Sequence, residues 1–311
     1  MKKLLLLIIV SLVNFLILGQ QKSIKLFGNF DDPILAPTFS PNGKYIAFSK
    51  SNYKGIYIYN LEDKSITQIT DEIAAGFGMQ WSSDSRYILS RPAYYEGLIR
   101  YNAVKIYDII TKEVKQITDY KTKMPSLPYW SERNDEVIIA FNGNVESFNS
   151  NIEVNSSNIK SSSNKLVFLI DDKIGVKDQS NGKIKIFEPL KGKKCMNISV
   201  SPDNQRIVFE IYGGNLYSMK IDGTELYDLG KGYRGKWLKD SETIVYMISE
   251  DDGYTFTYSD LFLIKYNGTN KINITNTPDL HELSPSVSLV DNTIVYEVLN
   301  EGSIHLMKLE K

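Results

Sequence analysis

The sequence predicts an all-β protein, folded as a closed β-propeller of four-stranded antiparallel blades. Three observations carry that prediction. A turn-and-strand frame recurs along the chain, a second hairpin follows most copies of it, and no sustained 3.6-residue amphipathic pattern interrupts the series. The composition agrees. The 311 residues are 42% hydrophobic and 23% charged, as in globular chains, and 20 Tyr and 13 Phe favour strands.

The first element stands apart from the fold. Lys2 and Lys3 precede an apolar run from Leu4 to Val13, and Phe15 to Leu18 leads to Gly19 and then Gln20-Gln21. A basic start, an apolar core and a small residue at the boundary make the pattern of a cleavable secretory signal peptide. Residues 1–19 are therefore expected to be removed, and 20–311 to form a single propeller domain. No cysteine lies at the boundary, so no lipid anchor is expected there. No later segment is long and apolar enough to span a membrane. The expected address is the periplasm or the exterior, and a monomer is expected.

The repeat is clearest in Phe39-Ser40-Pro41-Asn42-Gly43-Lys44-Tyr45-Ile46-Ala47-Phe48 and Val200-Ser201-Pro202-Asp203-Asn204-Gln205-Arg206-Ile207-Val208-Phe209. Each reads as a strand end, a tight turn and a buried strand. Proline presets the first corner, Asn or Asp tolerates the next, and Gly43 or Asn204 takes the left-handed conformation that closes the hairpin. The run after the turn is apolar at successive positions, as in a strand held between two sheets. Frames begin at Phe39, Trp81, Trp130, Ile159, Val200, Trp237 and Val287, the one at Ile159 being the weakest. Their spacing lies near the ~40–45 residues of a four-stranded blade, except for the short step from Trp130 to Ile159. Seven blades are expected, or six if Trp130 to Phe187 forms one irregular blade.

Second hairpins follow at Glu62-Asp63-Lys64 and Thr111-Lys112-Glu113, then at Asn181-Gly182, Asp222-Gly223 and Asn267-Gly268. After Val287 only three strands remain, ending in Ser303 to Leu309. Ser23-Ile24-Lys25-Leu26-Phe27 reads as a strand without a module. Pairing the two closes the ring and protects hydrogen-bonding edges.

The frame resembles the TolB-like, WD-type propeller repeat of exported bacterial proteins, marked by an apolar residue, Ser-Pro-Asp-Gly, a basic residue and a buried strand. Phe39 to Phe48 matches almost throughout, whereas Val200 to Phe209 has Asn204 at the Gly position, and Trp81 and Trp237 lack the Pro. The resemblance covers most of residues 23–311 and implies the fold. It leaves the activity open, because such repeats also occur in prolyl-oligopeptidase-type propellers and in some polysaccharide lyases.

Chemistry is sparse. No G-x-S-x-G elbow occurs, and seven blades leave no room for an α/β catalytic domain. One cysteine and two histidines argue against a zinc-thiolate or multi-histidine metal centre. No catalytic residue, metal ligand or cofactor is therefore assigned. His305 reads as a strand residue. The pairs Asp31-Asp32, Asp171-Asp172 and Asp251-Asp252 read as turns, since neighbours on extended chain point apart. Lys193 and Lys194 could lower the thiol pKa of Cys195, which is read as incidental. A formal charge of −1 gives no reason to expect nucleic acid.

Binding residues are expected on the face shared by the second-to-third-strand and blade-entry loops. Two long, tyrosine-rich loops stand out, Arg91 to Tyr101 and Ser249 to Asp260. The candidates are Tyr94, Tyr95, Arg100, Tyr101, Tyr233, Arg234, Tyr254, Phe256, Tyr258 and His281. Tyrosine offers an apolar face with a polar tip, and arginine a fork for carboxylates. The sequence reading is thus a noncatalytic propeller that binds a protein or glycan in the cell envelope, with a polymer-degrading lyase or hydrolase as the alternative.

Overall fold

The recurring turn builds the same hairpin wherever its frame is described. The computed structural model describes residues 23–124, 126–154 and 165–309. The residue after each anchor donates its backbone N–H across the hairpin, as in Ser40 N to Tyr45 O (2.9 Å) and Ser201 N to Arg206 O (2.9 Å). Four residues after the anchor the chain turns left-handed, at Gly43, Ser85, Asn134, Asn204 and Ser241, and five after it at Asn292, with φ between +56° and +69°. That geometry was expected at Gly43 and Asn204. The frame beginning at Ile159 falls largely outside the described residues.

Strand β1 (Ser23–Gly28) opens the described chain. Blade 1 follows as β2 (Ile34–Phe39), β3 (Tyr45–Lys50), β4 (Lys54–Asn60) and β5 (Ile66–Thr70). Blade 2 is β6 (Gln80–Trp81), β7 (Tyr87–Ser90), β10 (Lys105–Asp108) and β11 (Val114–Gln116), with a separate hairpin, β8 (Ala93–Glu96) and β9 (Ile99–Asn102), inserted between its second and third strands. Blade 3 shows β12 (Pro128–Trp130), β13 (Glu136–Phe141) and β14 (Asn144–Asn149). Blade 4 shows β15 (Lys165–Ile170), β16 (Lys173–Asp178) and β17 (Ile184–Phe187). Blade 5 is β18 (Cys195–Val200), β19 (Arg206–Ile211), β20 (Leu216–Lys220) and β21 (Tyr227–Gly230). Blade 6 is β22 (Tyr233–Trp237), β23 (Thr243–Asp251), β24 (Phe256–Lys265) and β25 (Ile272–Asn273). Blade 7 is β26 (Glu282–Val287), β27 (Thr293–Val298) and β28 (Ser303–Lys308), completed by β1 in the order β1-β28-β27-β26. The segment from Trp130 to Phe187 thus holds two separate sheets, and the propeller has seven blades. The N-terminal strand is the outer strand of the last blade, antiparallel to β28.

The core lies between blades, with one buried cluster at each junction. The second strands explain why. Ile46 and Phe48 pack with Val295 and Ile304 of blade 7, while Ala47 faces Ile88 of blade 2. Ile207 and Phe209 likewise face blade 4, and Val208 faces blade 6. A strand covered on both faces must be apolar at successive positions, each side chain contributing ~1.5–3 kcal/mol on burial.

The three tryptophans tie neighbouring blades at equivalent points. Each indole N–H donates to the inner strand of the preceding blade: Trp81 to Thr38 O (3.1 Å), Trp130 to Gln80 O (3.3 Å) and Trp237 to Ser199 O (3.1 Å).

Candidate functional site

Two regions are not consumed in building the ring: the loops of one face, and the central channel. On the face, β8 and β9 form a two-stranded sheet of their own, closed by Gly97-Leu98 between paired Glu96 and Ile99. Gly97 takes φ +58° at the first corner, where a II′ turn requires a positive value. The base of this hairpin is tied down by Ala93 N to Ile73 O (2.8 Å) and a reciprocal pair between Asn102 and Lys121. Tyr94 stacks on Tyr101 (5.0 Å) and meets Tyr120 edge-on (4.7 Å). Arg100 Nε donates to Asn102 Oδ1 (3.0 Å). Tyr94, Tyr95 and Ile99 are exposed, and Leu98 at the tip is 100% exposed.

The second tyrosine-rich segment is built differently. β23 and β24 run long and pair almost to their ends, so it is mostly strand. Phe256 packs in the cluster between blades 6 and 7, and Tyr258 in that between blades 5 and 6. Burial and the Asp260 carboxylate hold the Tyr258 phenol well above its usual pKa. Tyr254 alone stands free at the tip, 96% exposed, its backbone N–H donating to Asp252 Oδ1 (2.9 Å). Blades 1 and 7 separate it from the hairpin on blade 2. The structure therefore groups Tyr94, Tyr95, Arg100 and Tyr101, leaves Tyr254 apart, and puts Phe256 and Tyr258 into packing.

His281 lies where blade 6 passes into blade 7. Its backbone N–H donates to Asn300 Oδ1 (3.1 Å), and its ring Nδ1 is buried without a hydrogen bond. Beside it, Glu282 is buried and takes a hydrogen bond from the Thr277 hydroxyl, while its Oε2 has no partner. Burial first, and then the Asp260 carboxylate, push its pKa up to about 7, against the Thr277 bond. Asp260 itself accepts from Thr275 Oγ1 (3.0 Å), Thr277 N (3.2 Å) and Asn273 Nδ2 (2.7 Å).

The channel is walled by the inner strands, except in blade 4, where β15 faces it and residues 155–164 lie outside the described set. Its cavity measures about 580 Å³. Three residues before five of the anchors the inner strand turns left-handed, at Ala36, Gly78, Asn197, Arg234 and Ser284. Bulges mark this point in β2, β18, β22 and β26. Holding a non-glycine residue there costs ~1–2 kcal/mol, and a side chain from the preceding blade offsets part of it. Glu297 Oε1 accepts Ala36 N–H (2.7 Å), and Glu210 Oε1 accepts Arg234 N–H and, through Oε2, the Asn197 amide (2.9 Å). Blade 3 lacks the left-handed turn, and the equivalent residue of blade 2 is a donor. Arg91, 9% exposed, gives its guanidinium to the carbonyls of Met124 and Ser126 (3.0 Å). Burial, then Arg100, lower the Arg91 pKa to about 10.

Among the described residues, Arg234 and Lys236 are the charged ones lining this cavity, and Tyr233 packs behind them in the cluster between blades 6 and 7. The crowded walls, then Arg234, push the Lys236 pKa down, while Glu210 opposes the shift. Its side chain stays open to solvent within the cavity, so that desolvation is partial. Glu210 and Glu297, buried behind the wall, are raised chiefly by burial. Cys195 is buried too; desolvation, with Asp172 and Glu188, lifts its thiol to about 11, the reverse of what flanking lysines suggested. His305 is indeed a strand residue, bonded to Ser23 Oγ (3.2 Å) and Glu301 (3.0 Å). Among the described residues no three His, Cys, Asp or Glu side chains are grouped to hold a metal ion.

Solved structures share this ring. TolB from Acinetobacter baumannii aligns with a TM-score of 0.52 at 18% identity, over 78% of this chain and 54% of its own. The chain is similar to TolB. It spans about half the length of that protein. An oligogalacturonate lyase from Vibrio parahaemolyticus aligns at 0.57 and 14% identity over 94% of both chains, and a chain of the mitotic checkpoint complex at 0.66 and 13% identity over 94% and 96%. These likenesses speak for the propeller. No protein-family model and no curated protein matches the sequence.

Lys236, Glu210, Glu297 and Glu282 escaped the sequence reading. A signal for Lys236 existed: at the position before each anchor stand Thr38, Gln80, Tyr129, Asn158, Ser199, Lys236 and Ser286, and the lysine alone is charged.

Proposed function

We propose that this chain is an exported, noncatalytic propeller that binds a protein or glycan of the cell envelope through its hairpin-bearing face. The observation that carries the reading is β8–β9. It is anchored at its base, adds nothing to the sheet of blade 2, and holds Tyr95, Leu98 and Ile99 out to solvent. Exposed aromatic and aliphatic side chains on a fixed element are what a partner desolvates on binding. The likeness to TolB supports an envelope location, as do the signal-like residues 1–19, which lie outside the described set. Among the described residues no helix is long and apolar enough to cross a membrane.

The test is affinity capture from envelope extract of the source cells, with wild type beside a Tyr95→Ala, Leu98→Ser, Ile99→Ser, Tyr254→Ala variant. The bound partner is expected to be lost from the variant. Equal recovery with an unchanged melting curve would dispose of the proposal. A second reading, a lyase or hydrolase working in the channel, draws support from the likeness to oligogalacturonate lyases. Release of unsaturated sugar ends from acidic polysaccharides by the purified protein would favour it.

A further inference from the structure

We propose that the central channel holds a second binding site, independent of the hairpin face, in which Arg234 and Lys236 take the carboxylate of a ligand with an apolar body. Both cations come from β22, and both line the cavity. Neither makes a side-chain hydrogen bond or ion pair with any described residue, whereas thirteen ion pairs are formed elsewhere among the described residues. Their placement is built. Arg234 sits at a left-handed position (φ +55°) whose backbone N–H is held by buried Glu210, and Asn197 is held by the same carboxyl. A long cation on that bulge projects toward the channel axis, two residues before Lys236. The two repel each other when no anion lies between them.

Two cations on one strand select an anion. A planar carboxylate matches the arginine fork. The neighbouring wall selects the rest of the ligand. The Asn197 amide is spent on Glu210, and the Ser286 hydroxyl oxygen accepts Phe39 N–H (3.0 Å). Beside Ser199 and Ser284, the nearby lining is Ile198, Val200, Pro285 and Val287, a surface that suits an aliphatic group. The free C-terminus of a peptide ending in leucine and a short fatty acid share this chemistry.

The experiment titrates the purified protein with acetyl-Leu-Leu, its C-terminal amide, octanoate and inorganic phosphate. Binding is read by calorimetry and by the fluorescence of Trp130 and Trp237, which also line the cavity. At least one of the two carboxylates is expected to bind, the tighter one naming the source. The matching uncharged amide should bind at least tenfold more weakly. Arg234→Gln with Lys236→Gln should lower the affinity at least tenfold, and the four-residue face variant should bind like wild type. Should the double variant melt early, Lys236→Gln alone and the fall of wild-type affinity with salt carry the test. Failure of both carboxylates to bind, equal binding of the amide, displacement by equimolar phosphate, or salt-independent affinity would each overturn the site.

Discussion

At one end of the ring, the turns that start at Ser40, Ser82, Ser131, Ser201, Leu238 and Ser288 repeat the same hydrogen bonds, whereas the loops at the opposite end differ from blade to blade. In blade 2 the chain inserts a whole hairpin between its second and third strands, blade 6 lengthens both strands, and blade 3 turns at Asn142-Gly143. Repetition belongs where each blade must register against the next. Variation is tolerated where the backbone faces solvent and has no neighbour to match. The two ends should therefore respond unequally to substitution.

The largest contrast is expected between Trp237 and Tyr254. Trp237 is 3% exposed, packs between blades 5 and 6, and donates to Ser199. Trp237→Ala should cost ~3–5 kcal/mol in urea unfolding. Trp237→Phe keeps most of the apolar contact and should lose ~1 kcal/mol for the missing hydrogen bond. Tyr254→Ala, at the free tip, should stay within ~0.5 kcal/mol of wild type. If both alanine variants cost the same, the division between a structural end and a free end fails.

The same division decides what could be read from the sequence. The turn end was legible because a left-handed residue, in most blades a buried serine, and an anchor recur at nearly constant spacing, and each has a local cause. The tryptophan positions followed from the same register. The channel was not legible in that way. Glu210 and Glu297 in their second strands, and Arg91 just past the end of its own, lie ten residues past the anchor, yet their partners lie in the next blade. Whether an acceptor or a donor is needed there depends on the backbone turn of that next blade, which no local pattern states. The tyrosine-rich loops were found, but packing decides which rings are free. Tyr258 has the neighbours of a core residue, and Tyr95 has solvent.

A buried acid tests the loop end by pH. Glu282 has its carboxyl pKa raised to about 7 from 4.5. The folded state favours the neutral form, so this contribution is complete below pH 4.5 and is lost as pH rises through 7. The gap corresponds to about 3 kcal/mol. Buried Glu210 and Glu297, also raised, act in the same direction. Glu301 opposes them only in acid: held near 2 by Lys25 and His305, it loses its contribution as pH falls below 4.5. Melting temperature should therefore fall between pH 5 and pH 8. Glu282→Gln should match wild type at pH 5 and melt higher at pH 8. Parallel melting curves for the two proteins across that range would show that the site is solvated.

The seam between the last blade and the first tests how the repeated end closes on itself. The left-handed residue of one blade accepts a backbone N–H from the turn of the blade before: Ser85 from Asn42 (3.0 Å), Asn134 from Ser83 (2.8 Å), Ser241 from Asp203 (3.1 Å) and Asn292 from Lys239 (2.8 Å). Between blades 7 and 1 that residue is Gly43, which has no side chain to offer. A Cβ there would lie 3.1 Å from both Ser288 Oγ and Val290 Cγ2, so the turns approach too closely for a cap. Asn292→Gly should cost ~0.5–1.5 kcal/mol, since it removes one inter-blade bond while keeping the backbone geometry. Gly43→Asn, which installs at the seam the residue used elsewhere, should destabilise by ~1 kcal/mol rather than stabilise, because the contact must open before any bond can form. A gain in stability for Gly43→Asn would mean that the seam has room. Gly43 would then reflect the local preference of its turn and not the packing of the last blade against the first.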